Sequence, residues 1–373
     1  MRRGSGGEAG ESLYDKASAL VAQGKLEEAE GLISEGREIE PVNADFANLD
    51  GMVQLRKGDR NAAADRFSEA VLMDEGRADL RNNLGIALLE AGRIKEAAGA
   101  IADGLSIDGN NVNLLRNAAT AAIILGDSDR AVELACRAVK EEPHKAGSHV
   151  VLAETLLRSG ESRAAADALD CLKFLEGTPM KVLLKAVHLY IRMDMLEEAQ
   201  GVVYTALESD PSNCKLMLLL GKVLEMRDDL DEARHVYATT LSHDPENIDA
   251  RNGLGCVLER KGEFSEALEH FMEAHRLAPS NEKIETNLGI VLDKLDMDDE
   301  AERHLALVME RVPGFGVAYN AMGCFLSRRG RYIEAAEIFA TAIELEPDND
   351  RYLRNLELAQ SMIAATGMQE SRL

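Results

Sequence analysis

Ten alanines stand 34 residues apart in this sequence: Ala29, Ala63, Ala97, Ala131, Ala165, Ala199, Ala233, Ala267, Ala301 and Ala335, with no insertion or deletion between them. A fixed period of this length makes the chain a repetition of one supersecondary unit. Such a unit cannot bury its apolar face alone, so neighbours must stack and share a core. With each unit begun nineteen residues before its alanine, the starts are Gly10, Ala44, Ala78, Val112, Ala146, Met180, Cys214, Ile248, Glu282 and Gly316, covering 340 of 373 residues. A length that would otherwise suggest two or three globular domains is expected to hold ten copies of one unit.

Punctuation inside the unit gives its local structure. Position 15 is Gly in seven repeats and Asp in three (Asp194, Asp228, Asp296), residue types that end one helix and turn the chain toward another. Position 32 is Pro in seven repeats, from Pro41 to Pro347, although the chain has only eight prolines. A helix interior excludes Pro, so the second helix breaks there and each unit reads helix, turn, helix, break. Aromatics are only 4% of the chain and Trp is absent, so the interior is built from small and aliphatic side chains. Position 8 is Gly in six repeats (Gly51, Gly85, Gly221, Gly255, Gly289, Gly323) and Ala in three. Gly inside a helix costs roughly 1 kcal/mol relative to Ala, which points to a close helix contact at that position. Leu84, Leu220, Leu254, Leu288 and Met322 at position 7 and Leu88, Leu156, Leu224, Leu258, Leu292 and Leu326 at position 11 complete one helix face.

This pattern resembles the tetratricopeptide repeat, which has Leu at 7, Gly or Ala at 8, Ala at 20, an aromatic at 24, Ala at 27 and Pro at 32. The last four are clear as Ala267, Phe271, Ala274 and Pro279 and again as Ala335, Phe339, Ala342 and Pro347. The resemblance implies an all-α, right-handed superhelical solenoid of stacked helix-turn-helix repeats, whose first helices line a concave groove for a partner peptide. Position 4, often Trp in that family, is here Leu, Met, His, Tyr, Ala or a charge. The expected organisation is a disordered tail over 1–9, repeats over 10–349, a capping helix over 350–366 and a tail over 367–373. Within the array, Leu172 and Val187 put bulk where small residues otherwise sit, beside Gly177-Thr178-Pro179, so a seam is expected at 170–190. Glu357 at position 8 of the last helix gives that helix the polar face of a cap.

Chemistry is absent from the motifs. The sequence has no GxSxG, GxxxxGK[ST] or HExxH pattern, and Gly253-Leu254-Gly255 falls in a first helix at positions 6 to 8, where packing explains it. His270 and His304 at position 23, with His235 at position 22, form a histidine stripe read as surface or interhelical, and no metal is expected. The five cysteines make no CxxC pair and read as buried reduced thiols. Formal net charge is -24, from 66 acidic and 42 basic residues. Such a shell repels phosphate backbones and anionic lipid, so neither nucleic acid nor membrane is expected as a partner. No apolar run reaches the length of a transmembrane helix and the start carries no secretory signal. The chain therefore reads as cytoplasmic, or periplasmic if a signal segment was removed, with no enzyme activity and no cofactor.

The groove carries the functional signal. Positions 2, 5, 6, 9, 12 and 13 of the first helices face away from the packing stripe. In repeats four to seven these 24 positions hold seven bases, Arg116, Arg158, Lys181, Lys185, Arg192, Lys215 and Lys222, against Glu154 and Glu225. Average composition would give about three and four. Repeats one to three invert the sign, with Glu11, Asp15, Asp45, Asp79 and Glu90 against Arg56. Val150, Val151, Leu157, Leu184, His188, Ile191, Leu218 and Leu219 interleave with the central bases. A basic groove with apolar pockets would attract an acidic, amphipathic segment of a protein partner. Asn83, Asn117 and Asn287 at position 6, with Asn82, Asn252 and Asn320 at position 5, could hydrogen-bond a peptide backbone. They resemble the asparagine ladder in the repeat arm of protein glycosyltransferases, here broken at most repeats. Two further readings therefore stand beside the scaffold: a substrate-targeting arm of an enzyme system, and a self-assembling homo-oligomer.

Overall fold

The computed structural model of the chain describes residues 6–174 and 178–367, with side chains over 12–172 and 178–367. Among the described residues there are twenty-one α-helices, one 3-10 helix and no strand. The chain divides into two compact units, Met1–Met195 and Leu196–Leu373. The first holds α1 (Gly6–Ala22), α2 (Leu26–Ile39), α3 (Ala44–Lys57), α4 (Arg60–Met73), α5 (Ala78–Glu90), α6 (Ile94–Ile107), α7 (Val112–Leu125), α8 (Ser128–Glu141), α9 (Ala146–Arg158), α10 (Ser162–Asp170), the 3-10 turn Cys171–Phe174 and α11 (Met180–Arg192). The second holds α12 (Leu196–Ser209), α13 (Cys214–Met226), α14 (Leu230–His243), α15 (Ile248–Arg260), α16 (Phe264–Leu277), α17 (Glu282–Lys294), α18 (Asp298–Arg311), α19 (Gly316–Arg328), α20 (Tyr332–Leu345) and α21 (Asp350–Thr366).

Helix ends follow the repeat. All ten position-15 residues have positive φ, seven glycines together with Asp194, Asp228 and Asp296 at 58°, 65° and 58°. Asn43, Asn111, Asn213, Asn247, Asn281 and Asn349, all at position 34, cap the following first helix by accepting from a backbone N–H of its first turn. A side chain is possible at such a turn only at a strain cost, which separates two glycines of repeat three. A Cβ on either Gly92 or Gly99 meets no atom within 4 Å, yet Gly92 has φ +75° and Gly99 is inside α6. Gly92→Ala is expected to cost about 1–2 kcal/mol, and Gly99→Ala to add about 0.5–1 kcal/mol. Urea midpoints moving in the same direction would contradict this reading of position 15.

The cores within each unit rest on size matching. A Cβ on Gly51, Gly85, Gly221, Gly255, Gly289 or Gly323 would come within 2.5–2.7 Å of the position-24 side chain of its own repeat: Phe67, Ile101, Tyr237, Phe271, Leu305 or Phe339. Between repeats, Gly36 and Gly104 make room in the same way for Phe46 and Leu114. Position 4 carries a polar contact in three repeats. Arg81 donates to the Glu75 carbonyl at 3.0 Å, Arg251 donates to that of Pro245, and His149 Nε2 lies 2.7 Å from that of Pro143. Each polar side chain thus meets an open carbonyl at the end of the preceding second helix.

Several expectations change here. Helix α1 opens at Gly6 rather than Gly10, with the helix formers Glu8 and Ala9 inside it. Residues 1–5 and 368–373, Gly177 and the side chain of Glu11 lie outside the described residues. In the region of the expected seam α10 is only nine residues long, and Leu172 and Val187 are both buried. The cap helix α21 is anchored by Tyr352 and Ala359, while Leu353 and Leu358 are exposed, so its outer face is less polar than Glu357 suggested. Cys136 is exposed on α8 and the other four cysteines are half-buried, so these free thiols do not form a buried set.

Candidate functional site

Within each unit, consecutive first helices touch: α3 with α5, α7 with α9 and α9 with α11 in the first, α13 with α15 and α17 with α19 in the second. They form a first-helix face in each unit. In the first unit the bases of that face differ in availability. Lys181, Lys185, His188 and Arg192 on α11 and Arg158 on α9 are exposed. Lys185 Nζ lies 2.9 Å from Glu154, which also holds Arg158 at 3.9 Å. Lys181 and Arg192 make no ion pair among the described residues. Arg116 is only half-exposed: its guanidinium packs over Gly147, whose Cβ would meet it at 2.9 Å, and burial pulls its pKa down. Val150 and Val151 are buried, Val151 in one cluster with Val112, Leu115 and Ala138 of the preceding repeat. The acidic end is also partly neutralised, since Arg77 bridges Asp45 and Asp79 at 2.6 Å each. That guanidinium holds the Asp79 carboxyl below the usual carboxylate range.

In the second unit Lys215 and Lys222 on α13 are exposed and make no ion pair among the described residues, and Leu219 between them is half-buried. Tyr237 donates to Glu225 from beneath this helix.

The asparagines have other partners than the one expected. Asn83 donates to Asn48, Asn117 to Asn82, Asn287 to Asn252 and Asn355 to Asn320, at 2.7–2.9 Å. A position-6 amide therefore ties each of these first helices to position 5 of the one before, and Asn117 is committed to structure. In the second unit the same amides also reach Cys256 at 3.4 Å and Cys324 at 3.6 Å. Burial pushes the Cys256 thiol up to about 12, so it is unreactive at neutral pH.

Sequence columns also missed a buried cluster. Glu285 of α17 is 1% exposed, and its two oxygens face His304 Nδ1 of α18 at 2.6 Å and His275 Nδ1 of α16 at 2.9 Å. Of the histidines at positions 22 and 23, His235 is exposed at the surface and His304 lies between helices against Glu285. Among the described residues no three His, Cys, Asp or Glu side chains are placed to hold a metal ion, and no helix is long and apolar enough to cross a membrane. Gly253 and Gly255 lie against the rings of Tyr237 and Phe271, which is the packing role expected of them.

Family models described as tetratricopeptide repeat match residues 48–111, 146–170, 218–282 and 317–349, half of the chain in total. No curated protein matches it. Among solved structures it is similar to yeast Tom70, with 12% identity over 98% of this chain and 97% of that chain and a TM-score of 0.51. It is also similar to the human IFIT1 dimer with PPP-AAAA (16% identity, 93% and 89%, TM-score 0.46). The APC/C hetero-tetramer Cut9-Hcn1 is similar at 15% identity, over 93% and 83%, with a TM-score of 0.46. At such identities the likeness is one of fold alone.

Proposed function

This chain belongs to the tetratricopeptide repeat family, and on that premise we propose that it is a non-enzymatic interaction scaffold whose first-helix faces hold an acidic, amphipathic segment of a protein partner. The observation that carries this reading is the exposed state of Lys181 and Arg192 in the first unit and of Lys215 and Lys222 in the second, all without ion pairs among the described residues, in a chain of net charge -24. An acidic surface that leaves cations unpaired beside half-buried leucines offers opposite charge and apolar area together. The reading as a targeting arm drew on free asparagine amides, and the pairing of Asn82 with Asn117 and of Asn252 with Asn287 takes that support away.

Affinity capture from native lysate at low and high salt tests this. Proteins held at low salt are expected to be released by about 0.5 M salt. A Lys181→Glu, Arg192→Glu, Lys215→Glu, Lys222→Glu chain should retain at least about tenfold less of them, since charge reversal acts on electrostatic capture. Its helical circular dichroism should not change. Equal retention by both chains would remove the first-helix faces from partner binding.

A further inference from the structure

The proposed function leaves open how the partner lies on the chain, and the cations of the first unit bear on this. Lys181, Lys185, His188 and Arg192 stand at i, i+4, i+7 and i+11 along α11. At 100° per residue these four side chains fall within about 60° of one another. All four are exposed, whereas Ala186, Val187, Leu189 and Tyr190 on the remainder of the helix are buried. Leu184 and Ile191, one heptad apart and half-buried, border the row on one side. Three cations and His188 therefore run parallel to a helix axis over about 16 Å, at 1.5 Å per residue.

They do not run across the helices. Moving from α7 through α9 to α11, position 2 reads Asn113, Gly147, Lys181; position 6 reads Asn117, Val151, Lys185; and position 9 reads Thr120, Glu154, His188. Only position 13 has two bases in succession, Arg158 and Arg192. Except at position 13, an extended segment crossing the first-helix face would meet one base or His188, with Gly147, a buried valine or a carboxylate before it. A helix laid along α11 would meet Lys181, Lys185, Arg192 and His188 together.

We infer that the partner segment binds as an acidic helix of at least three turns lying along α11, with carboxylates at i, i+4, i+7 and i+11 facing Lys181, Lys185, His188 and Arg192. Apolar side chains beside that row rest on Leu184 and Ile191. The spacing is that of a coiled-coil seam, with charge in place of the usual apolar residues. Glu154, which holds Lys185 in the free chain, is displaced by the incoming carboxylate or shares the lysine with it. The inference rests on the function proposed above and adds the conformation and direction of the ligand.

Three fluorescent 18-residue peptides of equal charge test it by anisotropy against the full chain. The first carries four glutamates at the seam spacing on an Ala/Leu/Gln helix. The second has the same composition with its glutamates spread around the helix, and the third keeps the seam spacing with two central prolines. The seam peptide is expected to bind at least tenfold tighter than the other two and to lose at least tenfold on Lys181→Glu, Arg192→Glu. If that chain fails to fold, Lys181→Ala, Arg192→Ala should show a smaller loss in the same direction. Equal binding of all three peptides overturns the helical ligand but leaves the acidic-partner reading standing. Tighter binding of the proline peptide replaces the helix by an extended ligand. Binding by none of them overturns this inference, and the lysate capture then decides the broader reading independently.

Discussion

Replacing both His275 and His304 by Leu is expected to destabilise the second unit by about 3–5 kcal/mol, because it strands a carboxylate that water cannot reach. Glu285 is 1% exposed, His304 Nδ1 faces one of its oxygens at 2.6 Å, and His275 Nδ1 lies 2.9 Å from the other without hydrogen-bond alignment. The two rings meet edge to face at 6.1 Å, so the cluster ties α16, α17 and α18 together around one carboxyl group. Without a counter-charge or a donor, a buried carboxylate must stay unpaired or take up a proton, and either costs free energy. Adding Glu285→Leu to the double variant should recover most of the loss, since an apolar group in place of a complete buried pair is often neutral or stabilising. Urea titration gives the totals. Hydrogen exchange in α16, α17 and α18 shows whether the loss is local, as expected where each repeat is held by its neighbours. A double variant as stable as the native chain, or a triple variant no better than the double, would rule out a buried charge at Glu285.

The cluster also shows where sequence reading stopped. Comparing residues 34 apart lines up equivalent positions, which exposes turns, breaks and the small-residue contacts at once. Contacts between neighbouring first helices run on diagonals instead. Asn83 pairs with Asn48 and Asn117 with Asn82, each 35 apart, while Lys185 reaches Glu154 and Asn355 reaches Cys324 across 31. A helix surface is a lattice of three- and four-residue steps, so the side chain opposite position 6 is position 5 or 9 of the preceding repeat and never position 6 itself. Reading columns alone left Asn117 looking free and Val151 looking exposed. A search at 31 and 35 would have found the asparagine pairs. Arg116 was harder, because its burial depends on Gly147 leaving room for a guanidinium, and a glycine invites a turn reading before a packing one. The exposed seam on α11 was legible, since Lys181, Lys185, His188 and Arg192 follow the helical period within one element.

Size matching between positions 8 and 24 leads to the second large effect. Phe271→Ala empties the space over Gly255 and is expected to cost about 3–5 kcal/mol. Gly255→Ala puts a Cβ 2.7 Å from that ring and should cost about 1–3 kcal/mol through overpacking, although Ala is the better helix former. The two changes together should cost about 1–2 kcal/mol less than their sum, because the new methyl enters the space that the ring has left. The chain already contains this solution. Repeat four has Ala119 at position 8 and Ala135 at position 24, both fully buried in one cluster with Leu115 and Leu134. The same two positions hold glycine with Phe, Tyr, Ile or Leu in six repeats and alanine with Ala, Ile or Leu in three, so a small residue at position 8 is what the pairs share. Additive losses in the double variant, read from urea midpoints and from exchange in α15 and α16, would mean that the two positions respond independently. The glycines at position 8 would then need an explanation in the backbone of the first helices, and the scarcity of aromatic residues would no longer follow from how closely the helices approach.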